Sequence, residues 1–166
     1  MISLVRVDGR LVHGMVAVTW VGEIKPNCLV VANDAAAGDS FHTMTLKLAK
    51  PANCDMYVWS LDKAVDRLNG PKYKKKKILM TVATIEDAAY LAERCPDIQR
   101  VNIGPEIDKD GAGRVMEGRI EVGGVYIAPE KLSYLKKMHE QGIEVFVQVT
   151  PQVPRADYEE LIKKLG

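Results

Sequence analysis

The sequence predicts an α/β fold: an open, mostly parallel twisted sheet with helices on both faces, in a single domain over residues 1–166. Six short apolar runs rich in β-branched residues recur at positions 3–7, 28–32, 56–59, 78–82, 101–103 and 143–149. Several are nearly continuous hydrophobic runs, which is what parallel strands covered on both faces require. Segments with helical spacing separate them. Alternating strands and helices with short connections favour parallel strands joined by crossovers.

The connecting segments carry their own signals. Residues 12–21 hold four valines, a threonine and a tryptophan, a composition that leans toward strand. A crossover between parallel strands needs a connecting element, usually helical, so we predict a helix there against propensity. Asp39 or Ser40 is placed to cap a further helix, which Pro51 ends. Leu61, Ala64, Val65 and Leu68 form a one-face stripe that Gly70-Pro71 stops. Thr84 and Asp87 have capping-box spacing, and Cys95-Pro96 closes that helix. Residues 104–124 break the pattern with glycines and charges, and read as a loop with one or two short strands. Pro129 suits a first helical position, Leu132, Leu135 and Met138 follow, and Gly142 suits the residue after the helix end. Beyond Pro154, residues Tyr158, Leu161, Ile162 and Leu165 again share one face.

Composition narrows the function classes. With 47% hydrophobic residues, 166 residues can bury a sizeable core, and a formal net charge of +1 gives no general attraction to nucleic acid or anionic membranes. No apolar stretch is long enough to span a bilayer, and the N-terminal residues lack the pattern of a secretion signal. Cys28, Cys54 and Cys95 are too scattered for a disulfide framework or a zinc site and read as buried, reduced thiols. The expected compartment is the cytoplasm.

One segment concentrates chemistry. Arg6-Val7-Asp8-Gly9-Arg10-Leu11-Val12-His13-Gly14 leaves the end of the first strand, where ligands gather in open α/β sheets. It leads toward a helix N-terminus, whose free amides favour an anion. An imidazole is a competent nucleophile near neutral pH. Arg6 and Arg10 can hold phosphoryl oxygens by charge-assisted bonds. Asp8 can orient the ring or an arginine, while Gly9 and Gly14 allow close backbone approach. One arginine about 4 Å from a unit charge contributes up to roughly 4 kcal/mol at an effective dielectric near 20. Two buried arginines would therefore trap a phosphoryl group, and a carrier is expected to have a shallow, solvent-facing site.

This segment resembles the active-site signature of the mannose/fructose/sorbose family of phosphotransferase-system (PTS) IIB subunits, R-[IV]-D-D-R-L-[IV]-H-G-Q-V. The resemblance continues through Val16-Ala17-Val18-Thr19-Trp20, Val30-Val31-Ala32-Asn33-Asp34, Val101-Asn102-Ile103-Gly104 and Gly142-Ile143-Glu144-Val145. It implies a phosphoryl carrier. His13 would accept the group at Nδ1 from a phosphohistidine of a IIA protein or domain, then deliver it to a sugar entering through membrane IIC/IID subunits. Arg6, Arg10, Asp8 and Gly14 would form the phosphoryl site, with no cofactor and no metal, and membrane association would run only through the partners. Three positions depart from the pattern: Gly9 replaces a second aspartate, Met15 a glutamine, and Pro105 a frequent glycine.

Other residues have ordinary readings beside functional ones. Asn33, Asp34, Thr81, Thr84 and Asn102 sit at predicted strand ends and can border the crevice, though turn and cap chemistry also accounts for several of them. His42 and His139 read as helix surface. The lysine run over residues 72–77 reads as a solvated approach to the next strand. Two rival functions remain: non-covalent binding of a phosphorylated metabolite at Arg6, Arg10 and His13, or a regulatory interaction through the lysines.

Overall fold

The computed structural model describes residues 1–14, 16–107 and 112–166. Six parallel strands form the main sheet in the order β3-β2-β4-β1-β5-β8. They are β1 (Ile2–Val7), β2 (Cys28–Ala32), β3 (Asp55–Trp59), β4 (Ile78–Val82), β5 (Arg100–Ile103) and β8 (Glu144–Val147). Strand β1 is thus central, between β4 and β5. All six predicted runs are strands. The last stops at Val147, before the predicted 149, because the carbonyls of Gln148 and Val149 accept from Arg6 and Trp20.

Helices cover both faces. On one lie α4 (Leu61–Asn69), α5 (Ile85–Arg94), α6 (Leu132–Glu140) and α7 (Tyr158–Leu165), whose apolar stripes pack on Val5, Val7, Val30, Met80 and Val145. On the other lie a π-helical turn (Val16–Trp20), α1 (Val21–Ile24), α2 (Asp34–Ala37) and α3 (Ser40–Lys47), over Leu4, Leu29, Val31 and Leu79. The caps are those the side chains foreshadow: Asp39 accepts from the amides of Phe41 and His42, and Thr84 from the amide of Asp87. Gly142, beyond α6, has φ 84°, a left-handed conformation natural to glycine.

Two segments are finer than their sequence reading. Within residues 12–21 Gly14 is α-helical and Val16–Trp20 form a π-helical turn, and Val12 lies outside the helix. The loop after β5 carries an antiparallel hairpin, β6 (Ile120–Val122) and β7 (Val125–Ile127), turning at Gly123-Gly124 with φ 57° and 85°. β7 lies just past the stretch expected to hold strands. Part of that loop, like Met15, lies outside the described residues.

Candidate functional site

The site grows out of the exit of β1. Asp8 still donates its amide to Val82 O at 2.9 Å, holding the chain to β4. A turn then closes with Leu11 N donating to Asp8 O at 2.8 Å. Leu11 has φ 60°, which costs a residue bearing a Cβ roughly 1–2 kcal/mol. Burial of the Leu11 side chain, only 3% exposed, offsets this with about 1.5–3 kcal/mol. Leu11 and Val12 anchor the loop in the apolar cluster with Val16 and Trp20. His13 follows directly, and its carbonyl accepts the first helical bond from Ala17 N at 3.0 Å.

Asp8 is the hub. Its side chain is fully buried, and Oδ2 faces both His13 Nε2 at 3.1 Å and Arg6 NH2 at 3.3 Å. Oδ1 accepts from the Arg10 amide at 3.0 Å, with Arg10 Nε at 3.7 Å. A carboxylate only accepts, so the ring proton belongs on Nε2. That tautomer leaves the lone pair on Nδ1. The His13 side chain is 19% exposed, open to an incoming group at one edge.

The two arginines part company. Arg10 is 61% exposed, but Arg6 is wholly buried. Set against the solvent-facing site expected from the sequence, Arg10 is exposed but Arg6 is not, because Arg6 lies within a strand covered on both faces. Its NH1 donates to Asn102 Oδ1 at 2.5 Å and to Gln148 O at 2.8 Å, and its guanidinium carbon lies 5.4 Å from the Trp20 ring centroid. Loss of water on burial lowers the Arg6 pKa from its ordinary value, against the opposing pull of Asp8.

The remaining candidates divide. Asn102 joins Arg6 directly. Thr81 is buried beside Arg6 in the sheet register, and its hydroxyl has no partner among the described residues. Asn33, Asp34 and Thr84 are engaged with other partners. Asn33 Oδ1 accepts from Ala36 N, Asp34 Oδ1 from Leu61 N, and Thr84 caps α5. Gly14 is exposed, and a Cβ added there would meet nothing within 4 Å. Gln148 and Trp20 went unread as site residues. Gln148 is 142 positions from Arg6, and only its place as a polar residue in an apolar strand end marks it.

Two of the three departures pack on each other. Gly9 N donates to Pro105 O at 2.8 Å, and a Cβ on Gly9 would lie 2.9 Å from Ile107 N. An aspartate here would have to displace residues 106 and 107. Glu106 ties that segment down, accepting from Ile85 N at 2.9 Å. The third departure, Met15, lies outside the described residues. Among the described residues no group of three His, Cys, Asp or Glu side chains could hold a metal ion. No helix of the described residues is long and apolar enough to cross a membrane.

Comparison with known proteins gives this geometry a family. The family described as PTS system sorbose subfamily IIB component matches residues 2–166. The chain belongs to it. This IIB component is 34% identical over 166 residues to a probable phosphotransferase enzyme IIB component of Streptococcus pyogenes, covering 98% of this chain and 99% of the relative. It is 27% identical to the mannose-specific EIIAB component of Escherichia coli, covering 99% of this chain but 49% of that longer protein, so it spans about half of that relative. Among solved structures, the IIB component 1 specific for N-acetylgalactosamine from Escherichia coli matches with TM-score 0.80 and 27% identity, over 95% of this chain and 99% of the other. The IIB domain of the Klebsiella pneumoniae sorbose permease shares the fold, with TM-score 0.85 and 21% identity over 98% and 97% of the two chains. Membership makes this IIB component a phosphotransferase component that serves sugar transport.

Proposed function

We propose that this chain is a phosphoryl carrier in which His13 Nδ1 is the group that is phosphorylated. The Nδ1 lone pair attacks the phosphorus of a phosphohistidine on a IIA protein or domain. As the new N–P bond forms in line, the partner's N–P bond breaks and its electron pair returns to the partner's imidazole. In the second half, a sugar hydroxyl attacks the phosphorus and releases its proton to solvent, and the P–Nδ1 bond breaks. The sugar, a hexose or amino sugar, arrives through membrane IIC and IID subunits, and the chain works from the cytoplasm.

The observation that carries this reading is the bond between His13 Nε2 and Asp8 Oδ2 at 3.1 Å on a partly exposed ring. It favours the proton on Nε2 and leaves Nδ1 free of that bond. Arg10, being exposed, meets the arriving phosphoryl charge, and Gly14 leaves room for it at the helix start. Arg6 acts from behind, as the buried counter-charge of Asp8. The lysine run favours its structural reading over the regulatory rival. Lys74 and Lys76 pair with Asp97 at 2.7 Å and Asp55 at 2.9 Å, and the N-terminal amine binds the carbonyls of both lysines.

Incubation with phosphorylated IIA, followed by intact-mass analysis, tests the proposal. One acid-labile phosphoryl group is expected on the wild type and none on His13→Ala. A His13→Ala chain that takes up phosphoryl at the wild-type rate would overturn it. Reversible binding of a phosphometabolite without covalent uptake would favour the binding-module rival.

A further inference from the structure

We propose that Asn102 is a positioning residue for phosphoryl transfer, setting the tautomer and orientation of His13 through the Arg6 guanidinium and Asp8. The inference rests on the carrier reading for its kinetic consequence, but its geometric content stands apart from it.

Asn102 is fully buried in β5, one strand away from Arg6. A buried amide is costly unless both its ends are bonded. Here both are: Oδ1 accepts from Arg6 NH1 at 2.5 Å, and Nδ2 donates to Gln148 O at 3.2 Å. Arg6 NH1 donates to that same carbonyl at 2.8 Å. Arg6, Asn102 and the Gln148 carbonyl therefore close a triangle around one edge of the guanidinium.

The guanidinium transmits the constraint because it is planar and rigid. Fixing NH1 fixes where NH2 points. NH2 reaches Asp8 Oδ2 at 3.3 Å, the same oxygen that holds His13 Nε2 at 3.1 Å. Gly104 closes in on the group, since a Cβ there would fall 2.3 Å from the guanidinium carbon. The sheet itself does not need this amide. The β5 backbone is paired with β1 and β8, and an apolar residue would fill the position beside Phe146 and Leu4. What an apolar residue would lack is an acceptor aimed at Arg6.

The test reads the ring as well as the rate. Nitrogen-15 NMR of His13 in the unphosphorylated chain reports which nitrogen carries the proton, and rapid-quench transfer from phosphorylated IIA reports the rate. Asn102→Leu removes both bonds. It is expected to mix the two tautomers and to lower kcat roughly ten- to a hundredfold, as loss of an outer-shell orienting partner does, with KM for phosphorylated IIA unchanged. Asn102→Asp keeps the acceptor for Arg6 but loses the donation to the Gln148 carbonyl, and is expected to recover the Nε2-protonated ring and part of the lost rate. Should Asn102→Leu not fold, Asn102→Thr serves, its hydroxyl stopping one bond short of the guanidinium. A folded Leu or Thr variant with the wild-type tautomer and rate overturns the proposal. If the wild type takes up no phosphoryl group, the carrier reading falls, while the tautomer comparison still decides the role of Asn102.

Discussion

Replacing Asp8 by asparagine removes the one charge that faces Arg6, the Arg10 amide and His13 Nε2 together. Arg6 and Asp8 are both fully buried and 3.3 Å apart. Stripping one partner from such a pair costs about 3–5 kcal/mol. Asparagine keeps one acceptor oxygen, so the lower end applies, about 3 kcal/mol. For a chain of this size each kcal/mol moves the melting temperature by about 2–4 °C, giving an expected drop of about 6–12 °C. The second effect is chemical. The new amide can donate to the ring and draw its proton to Nδ1, the nitrogen that needs a free lone pair on the proposed mechanism. In a fully enclosed histidine–aspartate pair that inversion costs about 10⁴ in rate. His13 is 19% exposed and can exchange tautomers through water, so a loss of about 10² is expected. Calorimetry measures the first effect and rapid-quench transfer from phosphorylated IIA the second. An Asp8→Asn chain that melts with the wild type and transfers at its rate would refute the hub role of Asp8.

Other perturbations separate the parts. Arg10→Gln, at a 61% exposed side chain, should change stability by less than about 0.5 kcal/mol. Phosphoryl uptake should nevertheless fall about tenfold and become less sensitive to salt, as measured by transfer at two ionic strengths. Gly104→Ala places a Cβ 2.5 Å from the Val7 carbonyl as well as against Arg6. It should destabilise by about 1–3 kcal/mol or more in urea titration, and an unchanged midpoint would contradict the packing. Cys28 and Cys95, pushed up to about 11 by burial, stay protonated in the fold at pH values where the unfolded chain has begun to ionise. The unfolded state then binds fewer protons, so stability falls as pH rises from about 9 through 11. Cys28→Ala and Cys95→Ala should flatten that slope in pH-dependent unfolding curves.

Much of the architecture was legible because it rests on local patterning. Each main strand is a short apolar run, Asp39 and Thr84 occupy the cap positions their side chains favour, and Gly142 takes the positive φ that follows α6. The hairpin register of β6 and β7 and the π-helical turn were less so, since both depend on tertiary packing around residues that local propensity does not rank. His13, Asp8 and Arg10 stand within six residues of one another and could be read together. Asn102 could be placed at a strand end, but its partner could not be named. Gln148 and Trp20 enter the site through a backbone carbonyl and an indole packed from another element. A main-chain acceptor has no identity in the sequence, so no motif could announce it.

The different fates of Arg6 and Arg10 follow from parity and bear on how a carrier lets go. Arg6 alternates with Val5 and Val7 on a central strand, so its side chain must enter the opposite, equally covered face. An arginine inside a run read as doubly buried implies an internal counter-charge, and Asp8, two residues on, is the first carboxylate available. Arg10 lies beyond the strand and escapes that constraint. On the proposed mechanism the phosphoryl group therefore meets one exposed guanidinium. Two buried positive groups at about 4 Å would each hold it by up to roughly 4 kcal/mol at an effective dielectric near 20. An exposed pair contributes about 0–1 kcal/mol. On that mechanism the buried arginine spends its charge on orienting the nucleophile, and the exposed one steadies the group in transit without capturing it. Moving the Arg6 charge to the surface would be expected to strengthen retention of the phosphoryl group while disordering the ring that must receive it.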